Sequence, residues 1–205
     1  MDKDELKKVK DRVVELLRST GIEDMDYFLE ELERSGYFTA PASMKNHLCF
    51  EGGLMCHSLN VCEAALELKK LLMVSRPDIF EKVSDESIIV ASLLHDMCKA
   101  DIYVRKRAAH TEFGQAEFGT TPGSLPIGHG EKSVVMLLQM GLGLTDAEIC
   151  AIRWHMGAWC VNQADSEERQ YFRAAENRYP LVTLIQLADT IASKFTERPP
   201  ATING

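Results

Sequence analysis

No apolar run in this chain is long enough to span a membrane. The best stretch, Ile88 to Leu94, falls far short of the roughly 18 residues required. A secretory h-region is also missing: Met1-Asp2-Lys3-Asp4-Glu5 is charged and leads into no apolar segment. None of the six cysteines stands in C-x-x-C spacing, so Cys49, Cys56, Cys62, Cys98, Cys150 and Cys160 read as reduced thiols rather than disulfides or sulfur ligands. Together these absences suggest a cytoplasmic protein. Positive charge is scarce, with 23 Lys and Arg against 31 Asp and Glu, a net charge of −8 and a pI near 5.3. A broad basic face for long nucleic acid is therefore excluded. Small phosphorylated ligands remain open, because bound metal ions supply positive charge inside a cleft. Repeats, linkers and low-complexity tracts are absent too. The reading is one domain over residues 1–205, large enough to bury a single core.

What is present is mostly helical periodicity. Residues up to about Leu17, and again from about Asp24 to Arg34, are amphipathic, with Ser19-Thr20-Gly21 between them and Ser35-Gly36 after them. Gly52-Gly53 opens a long helix through Leu72, closed by Ser75-Arg76-Pro77. Ser84 or Asp85 caps the next, which carries Ile88, Ile89, Val90, Leu93 and Leu94. From about 101 to 128 the period is lost. Tyr103-Val104 and Thr111-Glu112-Phe113 read as short strands of a small insert, either irregular or a β-hairpin. Helix returns from about Glu131 to Met140. Thr145 to Glu148 is a capping box for a helix running to Gly157, and Pro180 suits the first turn of a helix over Leu181 to Phe195. The tail takes up 196–205, and from Arg198 to Gly205 it reads as frayed. The expected fold is all-α, with N-terminal helices over 1–45 and a core over 46–195.

Polar residues inside those apolar faces carry the chemistry. His57 shares a stripe with Leu54, Val61, Ala65, Leu68 and Leu72. A lone imidazole there is ordinarily a core histidine bonded to a carbonyl. His95-Asp96, however, ends a very apolar helix, and Asp189 lies among Ile185, Ala188 and Ala192. Ionised carboxylates so placed are costly unless paired, and lysine and arginine are scarce around His57 and Asp189. A metal ion is the commonest alternative partner.

The segments Gly52-Gly53-Leu54-Met55-Cys56-His57-Ser58, Leu93-Leu94-His95-Asp96-Met97-Cys98-Lys99, Pro126-Ile127-Gly128-His129-Gly130-Glu131, Arg153-Trp154-His155 and Leu187-Ala188-Asp189 occur in the order His, His-Asp, His, His, Asp. Over about residues 46–195 this resembles the HD-domain metal-dependent phosphohydrolases, which implies a single helical bundle. The resemblance further implies that His57, His95, Asp96 and Asp189 hold a first divalent metal, with Asp96 bridging to a second completed by His129 and His155. No Gly-Tyr-Pro motif follows the His-Asp pair, which disfavours the cyclic-di-GMP-hydrolysing branch. Nitrogen and oxygen ligation suits Fe, Mn, Co, Ni or Zn better than Ca or Mg.

Asp96 is then both ligand and catalytic residue. Lys99, one helical turn after the pair, leans toward the same cleft as a contact for substrate phosphate. The alternative for Lys99 is a surface lysine favoured by the helix dipole. His129 lies beside two glycines, an arrangement expected to keep bulk away from an ion. His47 and His110 fall outside the pattern, Arg105-Lys106-Arg107 is either an anion-recruiting or a solvated segment, and Trp154 and Trp159 read as core or cleft wall. The implied function is hydrolysis of a phosphomonoester or phosphodiester in a nucleotide or short oligonucleotide, on a small phosphorylated substrate away from membranes. Two alternatives stay open: a di-iron O2-dependent oxygenase of the same superfamily, and a non-catalytic metal-containing sensing domain.

Overall fold

A computed structural model describes residues 1–45, 48–106 and 117–197. The centre of the bundle is α3 (Gly53–Ser75), which packs against α1 (Lys3–Ser19), α5 (Asp85–Leu94) and α10 (Pro180–Ile191). α2 (Met25–Arg34) rests on α1, and the short α4 (Pro77–Phe80) follows α3. On the other side α7 (His129–Gln139) packs on α8 (Asp146–Trp154), which in turn meets α5 and α10. As the apolar run implied, α5 is buried on every side, with each residue from Ile88 to Leu94 inside. Its N-cap is Ser84, whose hydroxyl accepts from the Ser87 N–H. The capping box at Thr145 and Glu148 is formed as expected. Among the described residues no helix is long and apolar enough to cross a membrane. All six cysteines are free thiols.

The insert departs in detail from the sequence reading. One further turn of helix, α6 (Lys99–Ile102), precedes strand β1 (Tyr103–Arg105). β1 pairs antiparallel with β2 (Phe118–Thr120), Tyr103 facing Thr120 and Arg105 facing Phe118. The partner strand therefore lies at 118–120. The expected strand Thr111-Glu112-Phe113 falls outside the described residues, as do His47 and His110.

Three other boundaries shift. α8 stops at Trp154, because His155 caps it and Gly157, at φ +56°, turns the chain into a 3-10 turn over Gly157–Cys160. Helix α9 (Ser166–Arg178) was not anticipated; it starts where the Asp165 carboxylate accepts from the N–H groups of Glu167 and Glu168. After α10 the chain widens into a π-helical turn, Ala192–Thr196, and the buried Glu197 follows. Residues 198–205, the tail expected to fray, lie outside the described residues. Trp154 is core, stacked between Arg153 and Phe172. Trp159, 91 % exposed, is not the wall it was expected to be, because the 3-10 turn carries it outward.

Candidate metal centre

The six histidines and aspartates singled out above come from the ends of five helices. His57 lies near the start of α3, His95 and Asp96 directly follow α5, His129 begins α7, His155 directly follows α8, and Asp189 sits in the last turn of α10. Helix ends are where backbone polar groups lack intrahelical partners, so buried polar side chains there meet partners as well as costs. The Nε2 atoms of four rings converge on two carboxylates. His57 Nε2 is 3.2 Å from Asp189 Oδ1 and 3.6 Å from Asp96 Oδ2. His95 Nε2 is 3.2 Å from Asp96 Oδ2, His129 Nε2 is 2.6 Å from Asp96 Oδ1, and His155 Nε2 is 3.5 Å from Asp96 Oδ1. Lys99 Nζ lies 2.5 Å from Asp96 Oδ2.

Each ring is held by its other nitrogen. His95 Nδ1 donates to the Ser92 carbonyl at 2.7 Å, and His155 Nδ1 to the Ile152 carbonyl at 2.8 Å. In both cases the imidazole caps its own helix by satisfying a carbonyl three residues back, which leaves the Nε2 lone pair pointing into the site. His57 Nδ1 meets Glu197 Oε1 at 2.9 Å, and the same oxygen accepts from Asn60 Nδ2 at 3.0 Å. His129 Nδ1 is 3.2 Å from Cys98 Sγ. Sequence reasoning missed Glu197 and Asn60, because nothing in their local context marks them, and Cys98, inside the His-Asp segment, was read only as a reduced thiol.

The donor chemistry fits a cation. Asp96, Asp189 and Glu197 lie close together and, among the described residues, Lys99 is the lysine paired with them. Burial works against the charged form of Asp96, yet Lys99, His95 and His129 hold its carboxyl well below the usual range. Asp189 is held down at about 2: burial opposes the charge, and His57 and His95 outweigh it. His57 and His129 go the other way, to about 9 and about 10. Burial would lower both, but Asp189 and Glu197 raise the first, and Asp96 and Cys98 raise the second. His155 is lowered, by burial above all, and is neutral at pH 7. Its Nε2 lone pair therefore faces a carboxylate oxygen at a distance too long for a hydrogen bond. The buried Nε2 atoms of His95 and His155 have no hydrogen-bond partner. Two acceptors aimed at one another are resolved by a positive ion between them.

Three sets of ligand atoms lie within 4.8 Å of one another: His57, His95 and Asp189; His95, Asp96 and His155; and Asp96, Cys98 and His129. His95 thus belongs to the neighbourhoods on both sides of Asp96, and its ring is nearer that of His155, at 4.7 Å, than that of His57, at 5.3 Å. The glycine beside His129 has a different reason from the one expected. A Cβ at Gly130 would run into the Arg153 carbonyl oxygen, so glycine there lets α7 approach α8 and brings His129 to within 5.3 Å of His155, ring to ring. Gly130→Ala is expected to destabilise the fold by about 1–3 kcal/mol, because the clash outweighs the roughly 1 kcal/mol that alanine gains within a helix. Urea denaturation measures it, and a variant more stable than the parent would refute the close-approach reading.

The helical bundle brings together the six side chains on which the resemblance to HD-domain phosphohydrolases rests, in the order His, His-Asp, His, His, Asp. Over 104 residues, 48 % of this chain, it is 33 % identical to a dihydroneopterin 2',3'-cyclic phosphate phosphodiesterase of Methanocaldococcus jannaschii. The match spans 37 % of that enzyme's length, so the chain corresponds to little more than a third of it. No family profile and no solved structure matches the chain.

Proposed function

We propose that this protein is a metal-dependent phosphohydrolase that cleaves a phosphodiester or phosphomonoester in a small nucleotide-like molecule. The observation that carries this reading is the convergence of four imidazole Nε2 atoms on Asp96 and Asp189, with Lys99 beside them. The activity of the Methanocaldococcus jannaschii relative supports the same class. Two divalent transition ions in such a site, Fe, Mn, Ni, Co or Zn, supply an activated hydroxide at neutral pH and charge compensation for the phosphoryl oxygens.

The chain's own residues do the rest. Asp96 lies between both sets of ligands and fixes their spacing. His57, His95 and Asp189 form one side of the site, His129 and His155 the other. Lys99, 12 % exposed at its side chain, holds a charge at the edge of this buried cluster, where it contacts a substrate phosphoryl oxygen or steadies the leaving oxygen. We place the enzyme in the cytoplasm, in keeping with its free thiols.

The test is turnover of bis(p-nitrophenyl) phosphate, p-nitrophenyl phosphate and nucleoside 2',3'-cyclic phosphates by protein loaded anaerobically with each metal. Turnover with Mn, Co, Ni or Fe that disappears on chelation is the expected result. Oxygen uptake without hydrolysis on the whole panel would replace this reading with an oxygenase.

A further inference from the structure

A recess of about 330 Å³ lies between the loop after α2 and the face of the β-hairpin. That volume is at the small end of ligand sites, the scale of a single nucleoside rather than a chain. β1 alternates, so Tyr103 and Arg105 share a face while Val104 points outward, 43 % exposed. The register sets Phe118 opposite Arg105, on the same face. Tyr103, Arg105 and Phe118 all line the recess, facing Pro41 and Glu51, with Ala100 between.

The recess is tied to the chemistry through α6. Ala100 directly follows Lys99, and the Tyr103 N–H donates to the Lys99 carbonyl. The half-buried Tyr103 phenol feels both Lys99 and Asp96: burial raises its pKa, the Lys99 charge lowers it and Asp96 raises it again.

Two kinds of group meet here. Tyr103 offers aromatic surface to a flat ring, while Phe118 is buried, 5 % exposed. Glu51 offers carboxylate oxygens and Arg105 guanidinium N–H groups. Arg105 is held chiefly by Glu117, at 2.5 Å, and reaches Glu51 only at 3.5 Å, so the Glu51 oxygens keep acceptor capacity. A carboxylate next to a guanidinium matches a ring edge that presents adjacent N–H donors beside a carbonyl acceptor. Guanine and pterins share that 2-amino-4-oxo edge; adenine does not have it.

We infer that this recess binds the heterocycle of the substrate and selects rings with a 2-amino-4-oxopyrimidine edge, Glu51 accepting from the ring N–H groups, Arg105 donating to the carbonyl and Tyr103 contacting the ring face. The inference rests on the phosphohydrolase reading for its account of where the phosphate lies, but its test does not.

The test is calorimetric titration of the metal-loaded full chain with guanosine and with adenosine, neither of which carries a phosphate to cleave. Guanosine is expected to bind about tenfold more tightly, the discrimination of roughly one well-made polar contact in a partly open site. Glu51→Gln, at an exposed position, should bring the two affinities to within about twofold, and Tyr103→Ala should weaken both. Absence of a base preference, whether both nucleosides bind equally or neither binds, overturns the inference, as does a preference that survives Glu51→Gln. If guanosine is preferred but no phosphoester is cleaved, the recess stands and the phosphohydrolase reading falls. If phosphoesters are cleaved at equal kcat/KM for every base, the reverse holds.

Discussion

Replacing Asp96 with alanine is expected to abolish turnover, by at least three powers of ten, and to strip the protein of most of its bound metal. Three powers of ten correspond to about 4 kcal/mol of transition-state stabilisation. The size of the effect follows from how many partners this one carboxylate serves. Its two oxygens face His57, His95, His129, His155 and Lys99, all within 3.6 Å. Removing it leaves Lys99 and the raised His129 as buried cations without their anion, so some loss of stability is expected too. Asp96→Asn separates the two consequences. It keeps the shape but loses the charge and turns one acceptor oxygen into an N–H donor, so it should lose less stability than Asp96→Ala, which also leaves a cavity, while binding little metal. Metal analysis together with thermal unfolding of both variants decides the matter. Full activity or full metal content in either would remove Asp96 from the mechanism.

The second large effect concerns stoichiometry. His129→Ala combined with His155→Ala should lower the metal content from about two ions per chain toward about one, since these rings furnish one side of the proposed pair. His57, His95 and Asp189 keep their mutual geometry in that variant, because they stand on α3, α5 and α10, which pack without α7. His129 is also the most open of the four rings, 28 % exposed at its side chain against 1 % or less for the others. The ion on its side is therefore expected to exchange first under a mild chelator. Substituting His47 and His110 together should leave the content unchanged. A parent protein holding one ion, or a loss produced by His47 and His110 instead, would overturn the two-ion assignment.

Much of this was legible in the sequence because the relevant signals are local. The capping residues Ser84, Thr145 and Glu148 act within one helical turn, and they stand where expected. The burial of α5 was written in an unbroken apolar run. The anomaly of Asp96 and Asp189 was visible because an ionisable group in an apolar stripe is costly wherever the helix goes.

What escaped depends on long-range contact. α9 buries only Ala175, so it has no apolar stripe by which to recognise it. The β-hairpin register depends on which strand meets β1, and a three-residue strand carries too little pattern to say. Gly130 was recognised as small but given the wrong neighbour, because the Arg153 carbonyl reaches it from another helix. Glu197 sits in a polar stretch where a carboxylate attracts no notice, and only the fold shows its side chain to be 1 % exposed.

The partnership of Glu197 with His57 joins positions 140 residues apart. A ribosome makes this chain from one end to the other, so His57 is synthesised long before the carboxylate that fixes its tautomer and ring orientation. The helices α1, α3 and α5 pack on one another and supply much of the apolar core. The pairing of His57 with Asp189 and Glu197 requires α10 and the turn after it to stand against α3. A nascent or clipped polypeptide lacking that final turn would keep most of its core and lose the orientation of its first histidine.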